Sequence, residues 1–311
     1  MWHFLAVASL ASVTLLSLPT GAQTNAAAEA NAAPDGGPAG PLQVVASIFP
    51  LGDIVREVGG AAVEVEVLLP PGAEPHGFEP TPQQAERLAQ ADLLVVIGLG
   101  ADPWAQASAH ASGNDALETL VFEDAVAVRR APIPIPGDPH VWLDPVLVRE
   151  FTLPLAERLS ALLPTQAEQI AARQADFSAR LEALDKRYRR RLAETEHRSF
   201  VAFHSAFTYI AARYGLREAA VFDVHMHEPN PRTMEHVVQF IRRNQVPVVF
   251  AQPGMPVDRL DWLRQETGVR IGTLDPLGHP QRTGYDSYLA LMESNLEALV
   301  AALGGAAAKD R

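Results

Sequence analysis

Hydrophobic and polar positions alternate along this chain in a way that changes period several times. "QVVASIF" (residues 43–49) is a β-branched apolar run, and "LGDIVREVGG" (51–60) has the spacing of a short amphipathic helix stopped by glycine. "VEVEVLL" (63–69) alternates strictly, as a half-buried strand does. In "EPTPQQAERLAQADLLVVIGLG" (79–100), Thr81 and Pro82 form an N-cap and first-turn pair for a helix, and "LLVVIG" follows as a continuous apolar strand. Strands separated by helices predict parallel sheets, because a parallel crossover needs a dozen or more residues.

From about residue 164 to 198 the period becomes purely helical. The stretch has no proline or glycine after its start and is dense in charge, as in "EALDKRYRRRLAETEHR". It predicts one helix of roughly 34 residues, ~50 Å at 1.5 Å per residue. Its apolar positions do not sustain a heptad, which argues against a coiled coil. Strand and helix alternation then resumes in "SFVAFHSAFTYIAARYGL", "PRTMEHVVQFIRRNQVPVVFAQP" and "PVDRLDWLRQETGVRIGTLDPLG". The expected architecture is α/β, with two lobes that are each a parallel sheet flanked by helices, joined by one long rigid helix. Its divisions are an N-terminal lobe at 43–163, a linking helix at 164–198 and a C-terminal lobe at 199–311.

The first forty residues do not share this pattern. "MWHFLAVASLASVTLLSLPTGAQT" has an apolar run of signal-peptide length followed by small residues, which predicts a signal peptide at 1–22 with cleavage near Ala22. Its amino-terminal end carries no Lys or Arg, a departure from the usual signal. The run is short of the roughly 20 apolar residues of a membrane span. Residues 23–42 are mostly Ala, Gly, Pro and Asn and read as a disordered leader. The chain contains no cysteine, so disulfides, thiolate metal ligands and a lipid-modified cysteine are all excluded. Export without an anchor predicts the periplasm. The formal charge of −12, without a basic cluster, excludes nucleic acid as a partner.

Ten histidines remain to be placed. His76 follows the strand that ends near Leu69, His140 lies in the turn-rich "PGDPHVWLDP", His204 directly follows "SFVAF", and Asp275 directly follows "VRIGTL". In parallel α/β sheets the positions just past the carboxyl ends of strands converge on one crevice. Three imidazoles and a carboxylate meeting there suit a borderline divalent ion such as zinc, with manganese less favoured because it prefers more carboxylate oxygen. Pro75 and Pro139 stiffen the loops that carry His76 and His140. A lone histidine is more often structural, and His3, His110, His197 and His236 need no role. His225 and His227 in "VHMHEP", and His279 close to Asp275, are candidates for transient capture of an ion, with Glu74 and Glu228 as minor alternatives for the oxygen ligand. A zinc hydrolase is the competing class, but no HExxH or GxSxG motif occurs. Capture of an organic or chelated ligand would leave the histidines without a role.

"IFPLGDIVREVGG", "LLPPGAEPHGFEPTP", "ADLLVVIGLG", "DPHVWLDP", "FVAFHSAFTYIAARYGL" and "GTLDPLG", in this order over residues 43–303, together resemble the metal-binding class of solute-binding proteins of zinc and manganese ABC transporters. The resemblance implies the metal ligands His76, His140, His204 and Asp275, two lobes on a rigid helix, and no catalysis. It implies zinc as the ion, with manganese as the alternative. An ABC-transporter permease is the implied partner, a periplasmic metallochaperone a further one, and the protein a monomer. The chain departs from many zinc-specific relatives in two respects. "EDAVAVRRAPIPIPG" stands where they carry a long His-rich loop, and Gln252 stands where a glutamate is common, a position expected to line the cleft rather than join the ligand set.

Overall fold

The computed structural model describes residues 40–126 and 137–305. The expected signal peptide, and all but the last three residues of the expected leader, lie outside the described residues. The first strand, β1 (Leu42–Ala46), runs into α1 (Phe49–Gly59), β2 (Val63–Val67), α2 (Pro82–Leu88), β3 (Leu93–Val96), α3 (Pro103–Ala111), β4 (Glu118–Val121) and the short α4 (Phe122–Ala125). Two long helices follow, α5 (Pro145–Leu162) and α6 (Ala167–Ala193). Next come β5 (Ser199–His204), α7 (Thr208–Arg213), β6 (Arg217–Phe222), α8 (Pro231–Asn244), β7 (Val248–Ala251), α9 (Asp261–Thr267), β8 (Arg270–Thr273) and α10 (Tyr288–Ala302).

Both sheets are parallel and four-stranded, in the orders β2-β1-β3-β4 and β6-β5-β7-β8. In each, the first strand is flanked by the second on one side and the third on the other. A cleft therefore opens where the crossovers diverge. The central strands are buried along their length, β3, β5 and β7 completely, as apolar runs such as "LLVV" require when helices cover both faces. Thr81 caps α2 with a full capping box, its hydroxyl accepting from the Gln84 amide while the Gln84 side chain receives the Thr81 N–H.

The linking helix α6 is shorter than expected. A 3-10 turn at Pro164–Gln166 precedes it and it ends at Ala193, giving 27 residues, ~40 Å. One apolar stripe, Ile170, Phe177, Leu181, Leu184, Tyr188 and Leu192, is buried, spaced by three, four and seven as on one helix face. Arg180 on its flank pairs with Glu57 of α1, while Arg187 and Arg191 pair with Glu293 and Glu297 of α10. The Tyr188 hydroxyl donates to the Met292 carbonyl at 2.5 Å. Helix α10, reached last by the chain, therefore lies against α6 and α1. A single buried apolar cluster runs from Leu42 to Leu303, and a smaller second one lies within the C-terminal lobe among Phe203, Val237, Ile241, Val249 and Leu263. The boundary between lobes is not a boundary between cores. Among the described residues no helix is long and apolar enough to cross a membrane.

Candidate metal centre

Three of the four residues expected as ligands meet in the cleft. His76, His140 and His204 each offer a ring nitrogen, and these atoms lie within 4.8 Å of one another. The ring centroids are 5.7 Å (His76–His140), 5.6 Å (His76–His204) and 4.8 Å (His140–His204) apart. His140 and His204 are 1% and 2% exposed, and His76 is partly buried.

Each imidazole is held differently. The His76 loop is pinned from α3, where Trp104 donates its indole N–H to the Pro75 carbonyl at 2.9 Å and packs edge-on against Phe78. His140 is oriented by Asp138, whose Oδ1 accepts the His140 amide at 3.0 Å and lies 2.8 Å from Nδ1. That contact places the proton on Nδ1 and leaves the Nε2 lone pair for an ion, as carboxylate–histidine–metal arrangements do. His204 ends β5, and its Nδ1 lies 2.6 Å from the side-chain amide of Gln252, just past β7. The amide points its nitrogen at Nδ1, which puts the imidazole proton on Nε2. A half-turn of the amide brings Oε1 there to accept Nδ1–H, freeing Nε2. Gln252 thus touches a candidate ligand directly, beyond the cleft-lining place the sequence suggested.

The electrostatics favour a cation that is not a proton. Burial, with smaller contributions from the neighbouring imidazoles, lowers the His204 pKa to about 2 and that of His76 to about 4. Both are neutral at ordinary pH. The Nε2 atoms of His76 and His204 are buried without a hydrogen-bond partner, a costly state for a polar atom unless something fills it. Three convergent imidazole nitrogens, two of them otherwise unpartnered, fit a divalent ion of zinc type.

Asp275 lies two residues past β8, 4% exposed, and is not in the close group. Its backbone is clamped by Asn295 of α10, which accepts the Asp275 N–H at 2.9 Å and donates to its carbonyl at 2.7 Å. Oδ1 accepts the amides of Leu277 and Gly278 at 2.9 and 3.0 Å, and Oδ2 is paired with Arg282. Glu74 accepts the His76 amide at 3.4 Å and, with Asp275, Gln252, His279 and Arg282, lines a crevice of about 260 Å³. His279 turns back on its own loop, its Nδ1 accepting from the Gln281 amide. His225 stacks edge-on to His76, their centroids 6.0 Å apart, while Glu228 is paired with Arg259.

The stretch "DPHVWLDP" also ties the lobes together. Trp142 donates to the Pro276 carbonyl at 2.7 Å, Tyr288 donates to the Trp142 carbonyl at 2.8 Å, and Tyr209 donates to the Asp138 carbonyl at 3.0 Å. Asp144 caps α5 by accepting the Val146 amide and forms a two-pronged pair with Arg213 of α7. Sequence reasoning missed Asp138 and Arg282. The Asp-x-His spacing was available for the first; nothing in the sequence marks the second.

The chain is 26% identical over 283 residues to the zinc-binding lipoprotein AdcA of Streptococcus pneumoniae, covering 84% of this chain and 55% of that protein, so it spans about half of AdcA's length. It is 26% identical to the manganese-binding lipoprotein MntA of Halalkalibacterium halodurans, covering 84% of this chain and 88% of that one. The solved periplasmic zinc-binding protein TroA of Treponema pallidum superposes with a TM-score of 0.78 at 25% identity, over 85% of this chain and all of TroA. Residues 44–302 match the sequence profile of the zinc-uptake complex component A periplasmic proteins, and the chain belongs to that family, ZnuA.

Proposed function

We propose that this protein captures a divalent transition metal, foremost zinc, in the periplasm and delivers it to the permease of an ABC transporter. The observation that carries the reading is the buried trio of imidazoles with two unpartnered Nε2 atoms. His76, His140 and His204 are the nitrogen ligands, and Asp275 supplies the oxygen once its Oδ2 turns from Arg282 to the ion. The N-terminal lobe contributes His76 and His140, the C-terminal lobe His204 and Asp275, so the ion bridges the cleft. The family is one of solute-binding proteins, and the ion is cargo here. A nitrogen-rich shell favours zinc over manganese; the manganese-binding relative keeps the second ion as the alternative.

Calorimetric titration of chelator-stripped protein tests the reading. One tight zinc site is expected, bound more tightly than manganese. His140→Ala should lose it, because water cannot replace a nitrogen held by Asp138. Asp275→Ala should weaken it less, because three imidazoles still hold the ion and water can take the fourth position. Absence of a tight site, or loss with Asp275→Ala but not with His140→Ala, refutes this assignment.

A further inference from the structure

Two histidines beside the buried trio have no part in it. The turn after β6 is organised by Asp223, whose Oδ1 accepts the amides of both His225 and His227 at 3.0 Å, and whose carbonyl accepts the Met226 amide at 3.1 Å. Asp223 Oδ2 lies 2.8 Å from His227 Nδ1, which leaves Nε2 of this exposed side chain for a ligand. Met226, between the two histidines, adopts a left-handed backbone with φ 62°, a conformation that a residue with a long side chain takes up at some cost. The result is a pair of rings on the same turn, with centroids 5.9 Å apart.

That spacing is close to the 5.7 and 5.6 Å that separate His76 from its partners in the buried trio. On the inner side, the His225 ring stands at 90° to His76 with centroids 6.0 Å apart. The imidazoles thus form a file, His227 to His225 to His76 to the buried pair His140 and His204. Exposure falls along it. His225 and His227 are exposed, His76 is partly buried, and the last two are enclosed. Glu228, the next acidic side chain, is taken by Arg259 and adds no free charge to the turn.

We propose that His225 and His227 form a second, outer divalent-metal site that takes zinc from solvent and passes it inward through His76. The proposal rests on the reading of the buried trio as a metal centre. Two imidazoles leave half of a tetrahedral shell to water, so the outer ion is weakly held and exchanges quickly. Asp223 fixes the ring of His227, as a carboxylate behind a metal-bound histidine does. Transfer then proceeds by exchange of one neutral imidazole for another, with His225 within reach of both positions, and the ion need not shed all its ligands at once.

The test uses the chelator-stripped full chain and zinc alone, followed by calorimetry and by nitrogen NMR of the imidazoles. A second, weaker ion should fill after the tight one, and its filling should shift the His225 and His227 ring resonances. The double variant His225→Ala/His227→Ala should keep the tight ion, lose the weak one and load the tight site about tenfold more slowly at limiting zinc. Asp223→Asn should weaken the outer ion by about tenfold. A wild-type protein that takes one ion without moving those resonances overturns the proposal, as does a double variant that keeps the second ion and the loading rate. In His140→Ala the outer ion should persist without the inner one, which separates failure of this site from failure of the buried centre.

Discussion

Gln252 is the residue whose neutrality has the clearest chemical meaning. Its amide sits 2.6 Å from His204 Nδ1, where a carboxylate would accept the Nδ1 proton outright and make Nε2 a stronger donor to zinc. Gln252→Glu should therefore tighten zinc binding by about tenfold, read by competition with a chromophoric chelator. Unchanged or weaker binding would mean that the amide does not orient His204. The position was visible in "FAQPGMP", but its contact was not, because His204 and Gln252 are 48 residues apart and meet only when β5 and β7 pair. The histidines themselves were legible since each follows a strand or sits between prolines. Arg282 was not. It lies seven residues past Asp275 in an irregular loop, where no periodicity tells which way a side chain turns.

At the scale of elements, period and length identified both parallel sheets, and the Thr81 cap and the glycine stop after α1 were legible too, while the carboxyl end of the long helix escaped. The sequence carries the charged pattern to Arg198, yet α6 stops at Ala193. Thr195 and Arg198 read as one more charged turn. In the structure the Thr195 hydroxyl and the Arg198 guanidinium donate instead to the Leu192 carbonyl at the open end of the helix. Arg198 also donates to the Tyr214 and Gly215 carbonyls after α7. Polar side chains that cap a helix and those that coat one look alike until the neighbouring turn is in place. Between α7 and β6 lies an element-level switch. The carboxyl of Glu218 accepts the Thr208 hydroxyl at 3.0 Å, and burial raises its pKa from 4.5 to about 8. The unfolded chain releases this proton near pH 4.5 while the folded one keeps it to about 8. The unfolded state then binds fewer protons, so stability falls as pH rises across that window. Glu218→Gln should flatten that slope and raise the melting temperature at pH 8, measured by calorimetry between pH 5 and 8. A slope that survives the substitution would place its source elsewhere.

On the scale of the whole molecule, the lobes are stitched across the cleft at Trp142–Pro276, Tyr288–Trp142, Asp144–Arg213 and Tyr209–Asp138, and α10 lies along α6. Hinge closure would have to break these together, since packed interfaces switch between discrete arrangements and do not bend smoothly. X-ray scattering curves of zinc-free and zinc-loaded protein should coincide. Hydrogen exchange should show protection on loading confined to the loops around His76 and Asp275. A contraction on loading would contradict the stitched cleft. The same packing governs how the chain acquires its shape. Tyr288, Leu296 and Leu299, near the end of the sequence, belong to the apolar cluster that begins at Leu42. A nascent chain that has produced the whole first sheet still lacks the helix that covers α1 and α6, and its apolar stripe stays open to solvent. Such contacts between distant parts of a chain slow folding and prolong exposure to aggregation, so the core of the first lobe is complete only after residue 302 has been made, and a premature stop in the last helix is a failure of the first lobe as much as of the second.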